Sequence, residues 1–224
     1  MDAKRMVPMS DDIYHQLLER YQSGQVPWDQ ELPPPEVIDL ARTLLPGRAL
    51  DLGTGFGRAA IYLARLGWEV DAVDFIAEAI AGAVTRAQRM GVDGVRFHLS
   101  QVTAMPFLFA PYDLALDVGC MHNFSSVQLV AYCHELRRLL RPGAHYLLFA
   151  HLRAPDAAEA RWLDEALLRR LFSDGFHLRR VEYGTTQVGD NPPWPSAWFW
   201  WQRAAEGESV TSSSDVPGAD AAAR

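Results

Sequence analysis

Only two cysteines, Cys120 and Cys133, occur in the 224 residues. Two thiols build neither a disulfide framework nor a cysteine-based metal site. A reduced, cytoplasmic setting without a metal is the simplest expectation. Basic runs are missing too, since no stretch of Lys and Arg exceeds two residues. With 21 basic and 28 acidic residues the formal net charge is −7. That balance argues against a nucleic-acid backbone as partner and against a polybasic membrane anchor. No run of about 18 apolar residues is available to cross a bilayer. Met1–Asp12 lack the apolar centre of a secretory signal. Internal repeats are absent. Hydrophobic residues still make up 49% of the chain, enough for a sizeable core in one domain.

What is present alternates. Residues 1–35 are polar and aromatic, with Tyr14, Tyr21 and Trp28, and end in Pro33-Pro34-Pro35. They are expected to form a separate N-terminal segment with a short helix over Asp11–Tyr21, because the prolines block its continuation. Helical spacing follows over Glu36–Leu45, Arg58–Leu66, Ile76–Met90, Ser126–Leu139 and Asp156–Phe172. Strands are expected over Arg48–Leu52, Glu69–Val73, Val95–Leu99, Tyr112–Val118, Ala144–Ala150, Phe176–Tyr183 and Ala197–Arg203. Strands alternating with helices imply an α/β fold, doubly wound around a mostly parallel seven-stranded sheet. No helix separates the last two strands, so an antiparallel edge strand is expected. Gly184–Ser196, with three prolines, reads as a long and functional loop. Residues 204–224 carry almost no large apolar side chain and read as a disordered tail, leaving 36–203 as the folded domain.

The most informative run is Ala49-Leu50-Asp51-Leu52-Gly53-Thr54-Gly55-Phe56-Gly57-Arg58. It reads as a buried strand that turns through alternate glycines into a helix. The next strand ends on an acid, Asp74, 23 residues past Asp51. A dinucleotide turn spaces its glycines G-x-G-x-x-G. Here the third glycine comes one residue early, and Asp51 sits at the strand end. A pyrophosphate would be repelled by that carboxylate. A ligand with a sulfonium and a free amino group would be attracted, and S-adenosylmethionine carries both. Glycines let the backbone approach such a ligand closely, and Asp74 can accept from ribose hydroxyls.

On these residues the chain resembles the class I S-adenosylmethionine-dependent methyltransferases, which have a Rossmann-like fold. The turn Asp51–Arg58, the acid Asp74, the strand Tyr112–Val118 and Leu139-Leu140-Arg141-Pro142-Gly143 stand in the family's order. Pro27-Trp28-Asp29 with Leu32-Pro33, and Leu116-Asp117-Val118-Gly119-Cys120-Met121-His122, resemble small-molecule enzymes of the thiopurine and tellurite-resistance type. The resemblance implies methyl transfer to sulfur, selenium, tellurium, nitrogen or oxygen of a small acceptor. It implies that Asp51, Gly53, Thr54 and Gly55 hold the methionine half. Asp74 would hold the ribose, and Phe75 or Ile76 would lie against the adenine. Gln101-Val102 stands where the family often has an acid and a small or apolar residue; the amide can still accept from an adenine amino group. Asp117 would lie beneath the sulfonium, and Trp28, in the N-terminal segment, would roof the cofactor.

An in-line displacement needs alignment, and a base only when the nucleophile carries a proton. His122 and His151 lie beyond the fourth and fifth strands, where open α/β sheets bind ligands. His122, with Asp117, is the candidate catalytic residue, since an ordinary imidazole titrates near pH ~6.5. Trp28, Trp194, Trp198, Trp200 and Trp201 could cradle a sulfonium or an apolar acceptor. The alternate tryptophans from Trp198 read as packing on the last strand. Three other readings compete. A nucleic-acid methyltransferase is disfavoured by the acidic charge and by the lack of proline in Asp117-Val118-Gly119-Cys120. A nicotinamide enzyme is disfavoured by the early third glycine. A non-catalytic cofactor-binding protein is disfavoured by the intact turn.

Overall fold

The computed structural model describes residues 11–109, 111–154, 162–187 and 192–205. The expected tail therefore lies almost wholly outside the described residues. Its first residue, Ala204, is buried and donates its amide to Gly175 O at 2.9 Å.

Two helices precede the sheet, α1 (Asp11–Ser23) and α2 (Pro35–Thr43). Pro35 opens α2, where a missing N–H costs nothing. The chain then runs β1 (Arg48–Leu52), α3 (Arg58–Arg65), β2 (Glu69–Asp74), α4 (Ala77–Arg89), β3 (Val95–Leu99) and β4 (Tyr112–Val118). A 3-10 turn at Met121–Asn123 leads into α5 (Ser126–Leu139), β5 (Leu140–His151), α6 (Glu165–Phe172), β6 (Phe176–Thr186) and β7 (Trp194–Arg203). The Ser125 side chain caps α5, and Gln128 reaches back to the Ser125 amide at 2.9 Å, forming a capping box.

The strand order is β3-β2-β1-β4-β5-β7-β6. The pairs from β3 through β5 are parallel; β7 runs against both β5 and β6. The antiparallel strand thus lies one place in from the edge, with β6 outermost. The order reverses between β1 and β4, and the C-terminal strand ends at that point form the usual ligand crevice.

Alternation along each strand sends neighbours to opposite faces. Leu50 and Leu52 join the core beneath α5 and α6, with Ala115, Tyr132, Leu136 and Phe172. Ala49, Leu114 and Leu116 face the other way, onto Val37, Ala59 and Leu63 of α2 and α3. The buried hydrophobic core begins at Val37, so α1 contributes no residue to it.

Two expectations change. The helix expected from Asp156 starts only at Glu165: Trp162 has φ 70° and Leu163 bridges Leu152 as a short β contact. Residues 155–161 lie outside the described part. The long loop of 184–196 is instead largely hairpin, because Gly184 pairs with Ser196 and Thr186 with Trp194. Helical periodicity and proline content mark these segments, but pairing with β5 and β7 decides them.

Candidate active site

The turn after β1 is fixed by backbone bonds to β2: Gly53 and Thr54 both donate to Val73 O, at 2.8 and 3.0 Å. Gly53 and Gly55 have φ of 70° and 56°, the left-handed region that a side chain resists. A Cβ on Gly53 would also lie 2.6 Å from the Cys120 Cβ. The glycine therefore lets the turn lie directly against the loop that follows β4.

Three buried carboxylates surround this turn. Asp51 accepts from Thr54 Oγ1 at 2.6 Å and from the Ala60 amide in the first turn of α3. Burial pushes it up to about 6, only partly offset by those donors. Asp74 accepts from the amides of Gly55 and Ile76, both at 2.9 Å, and burial raises it as well. Asp117 accepts from the Cys120 amide at 2.7 Å, the Met121 amide at 3.1 Å and the Tyr132 hydroxyl at 2.7 Å. Burial pushes Asp117 up to about 7, and Asp51 adds to that rise. None of the three makes a salt bridge among the described residues. Each is hydrogen-bonded by neutral donors, and Arg58 at the start of α3 is the nearby cation that eases the charge on Asp51.

Beside the turn lies a cleft of about 300 Å³, lined by Gly53, Asp74, Phe75, Gln101, Val102, Thr103, Cys120, Phe124 and Gln128. The structure thus brings together five of the residues expected at the cofactor: Gly53, Asp74, Phe75, Gln101 and Val102. Asp51, Thr54 and Gly55 form the framework of the turn beneath it. The loop carrying Gln101 and Val102 is tied to α5, where Glu135 accepts the Met105 amide at 2.8 Å and Arg138 donates to Met105 O at 2.8 Å.

The N-terminal segment lies over the turn. Arg86 of α4 donates twice to Asp29, at 2.8 and 2.6 Å. Tyr14 packs on Phe75 with ring centres 6.0 Å apart, and Tyr21 packs edge-on to Phe56 at 5.1 Å. A Cβ on Gly55 would lie 3.1 Å from the Tyr21 hydroxyl. Tyr21 therefore stands above the glycines. Trp28, expected as the roof, instead meets Tyr21 edge-on at 6.2 Å and is not among the cleft-lining residues. α1 brings Tyr21, seven residues before Trp28, nearer to the turn, and Trp28 packs against it.

Two further candidates, Asp117 and His122, lie outside the cleft lining. Asp117 points into the core beneath α5, with both oxygens occupied, and does not line the cleft. It braces the Cys120 loop. His122 stacks on His151, with centroids 4.3 Å and planes 14° apart, and its Nδ1 accepts the His151 amide at 3.3 Å. Burial, with His151 alongside, pushes His122 down to about 3. That imidazole is neutral and weakly basic, unlike the ordinary one expected. Phe124, Gln128 and Thr103 of the cleft were not foreseen, because the topology rather than any local motif assembles them.

Residues 49–143 match a family model described as a methyltransferase domain. The chain is 31% identical over 154 residues to YcgJ, an uncharacterized methyltransferase of Bacillus subtilis, covering 68% of this chain and 58% of that protein. It spans about half the length of the curated relatives it matches. Among solved structures, TehB from Haemophilus influenzae matches with a TM-score of 0.67 at 18% identity, over 84% of this chain and 67% of that one. The 1,6-didemethyltoxoflavin-N1-methyltransferase of Burkholderia thailandensis matches with 0.68 at 21%, over 92% and 94%. At those identities the likeness speaks for the fold. Residues 49–143 thus match a methyltransferase domain, and the seven-stranded sheet that carries them is similar in fold to class I S-adenosylmethionine-dependent methyltransferases.

Proposed function

We propose that the protein transfers the methyl group of S-adenosylmethionine to a heteroatom of a small-molecule acceptor. The observation that carries this reading is the set of three buried acids, Asp51, Asp74 and Asp117, around a left-handed glycine turn, none of them in a salt bridge and only Asp51 feeling a nearby cation, Arg58. The donor's chemistry fits that set: its ammonium and sulfonium supply positive charge where acids outnumber cations. A diphosphate would meet the same acids with repulsion.

In this reading S-adenosylmethionine supplies an electrophilic methyl group, and the chain supplies binding and alignment. Asp51 would draw the amino-acid end toward the turn. Asp74 would accept from the ribose while still holding the Gly55 and Ile76 amides. Phe75, Val102 and Gln101 would enclose the adenine, the amide accepting from its amino group. Asp117 would fix the Cys120 loop and leave catalysis to alignment. Tyr21 and Trp28 would close residues 1–35 over the donor, leaving 36–203 as the methyltransferase domain.

The small-molecule part of the proposal is supported by the net charge of −7 and by the Burkholderia neighbour, whose named substrate is a small heterocycle. Calorimetry is the direct test. S-adenosylhomocysteine should bind and NADH should not; the opposite outcome sinks the proposal. Turnover is then read as S-adenosylhomocysteine release across thiols, chalcogen oxyanions, amines and phenols. Removing residues 1–30 should leave a cooperative unfolding transition, since the core starts at Val37, and should abolish turnover. A truncated chain of full activity would remove the closing role.

A further inference from the structure

Nothing in the donor half of the cleft uses the rings gathered beyond β4 and β5. His122 and His151 stack there, and Trp162 stands edge-on to both, at 5.2 and 4.7 Å. Trp194, the first residue of β7, meets His151 edge-on at 5.3 Å and lies nearly parallel to Trp162, 24° off at 5.8 Å. All four rings are half-buried, so each keeps a surface open. The group adjoins the cleft, because His122 lies between Cys120 and Phe124 in the chain and both of those line it.

Two details point to a ligand. Trp162 has φ 70°, the one non-glycine residue in that region among the described residues. Such strain persists only where the surroundings enforce it, and it clusters at binding sites. Here Leu163 enforces it by donating to His151 O at 3.2 Å and accepting the Arg153 amide at 2.9 Å. Leu163 itself is buried and does the packing; the indole beside it is held out toward the histidines. The second detail is the Trp194 indole N–H. It is buried and, like those of the core residues Trp68 and Trp201, has no hydrogen-bond partner among the described residues; unlike them it belongs to a half-buried ring beside the cleft, where an outside acceptor can reach it.

Of the candidate bases from the fourth strand, Asp117 turns into the core and His122 Nδ1 already accepts the His151 amide. We propose that His122, His151, Trp162 and Trp194 form the acceptor-binding wall, and that the acceptor is a flat, uncharged heteroaromatic ring methylated at a ring nitrogen whose lone pair is free. This inference rests on the methyl-transfer reading. The ring lone pair forms the new N–C bond while the methyl–sulfur bond breaks and leaves its electron pair on sulfur. The ring nitrogen gains the positive charge, the sulfonium loses it, and no proton moves. A second acceptor atom on the ring satisfies the Trp194 N–H.

The test uses the full chain loaded with S-adenosylhomocysteine, with binding followed by tryptophan fluorescence and calorimetry. The probes are quinazoline, naphthalene, which lacks nitrogen, and decahydroquinazoline, which is neither flat nor uncharged. Quinazoline should bind at least tenfold tighter than either. Trp162→Gly, which keeps the φ without strain, and Trp194→Phe, which keeps a ring but loses the N–H, should each weaken quinazoline fivefold or more. S-adenosylhomocysteine affinity should stay within twofold in both. With S-adenosylmethionine the product should be an N-methylquinazolinium ion by mass spectrometry. Equal binding of the three probes, variants without effect on quinazoline, or preferential methylation of thiols or phenols would each overturn the inference while leaving the donor assignment standing. Failure to bind S-adenosylhomocysteine at all would overturn both.

Discussion

Strands β1, β2 and β4 carry buried acids at their tips and β2 carries one more, Asp71, near its beginning, and the two ends treat them in opposite ways. Toward the strand beginnings Asp71 accepts from Arg96 twice, at 2.8 Å each, from Tyr112 Oη at 2.7 Å and from Arg48 at 3.3 Å; His98 Nε2 lies 2.8 Å away. Burial works against its charge, but the hydrogen bonds from Arg96, His98 and Tyr112 outweigh it, and the carboxyl is held well below its ordinary value. At the strand tips Asp51, Asp74 and Asp117 hydrogen-bond only to amides and hydroxyls; Arg58 attracts Asp51 without an ion pair, and burial still raises all three. The first end is electrically complete in the folded chain. The second keeps an excess of acid that suits a cation from outside. Buried charge alone therefore does not mark a site; buried charge without a counter-charge does.

The sharpest way to break this contrast is Asp71→Ala. It should cost about 2–4 kcal/mol in urea unfolding, the lower side of the range for a broken buried pair because Arg96 can rehydrate. Affinity for S-adenosylhomocysteine should not change. A tip substitution should do the reverse. Asp74→Ala should weaken that ligand by about 1.5–3 kcal/mol, the range for hydrogen bonds to a charged group, and unchanged affinity in calorimetry would remove the ribose role.

A smaller effect separates the two ends by pH. Asp51 and Asp117 are raised, so these two carboxyls bind more protons in the folded protein than in the unfolded chain between about pH 4 and pH 7, and outweigh His122, which is pushed down to about 3 and works the other way below about pH 6.5. Ligand-free stability should therefore fall as pH rises through that window. Asp71 is depressed, so its contribution is already in place above about pH 4 and is lost only at lower pH. The ligand-free melting temperature should rise by a few degrees, about 2–4 °C, on going from pH 7.5 to 5.5. Binding should strengthen in the other direction, as Asp51 gains its charge above its raised value, about 6. A melting temperature that drops on acidification would contradict the contrast. The smallest expected effect is that of Arg86→Ala, which releases Asp29 from α4. It should weaken S-adenosylhomocysteine by about 0.5–1 kcal/mol, typical of a partly exposed pair.

The tips were more legible in the sequence than the beginnings. Alternate glycines have a local cause, a left-handed turn, and Asp51 and Asp74 follow at fixed strand ends. Asp71 gave no such sign, since its partners come from β1, β3 and β4 and meet only through register. Tyr21 was hidden for the same reason: α1 must dock on α4 before its hydroxyl reaches Gly55. His122 was found by position, but its chemistry depends on His151 from the next strand. The start of α6 and the extent of the β6–β7 hairpin were misread where strand pairing overrode composition, though the antiparallel pairing itself was expected.

The reversed direction of β7 has a practical outcome for this chain. A parallel strand would enter the sheet at the far end and need a crossover helix to reach the ligand side. Running backward, β7 starts with Trp194 at the strand tips and delivers it there straight from the hairpin. In the proposed reading the donor floor, from β1 to β4, and the ring-lined side, which apart from His122 comes from β5 onward, are thus written largely in separate stretches of sequence. Exchanging the C-terminal stretch is the natural way to retune what is methylated while leaving the grip on the methyl donor alone.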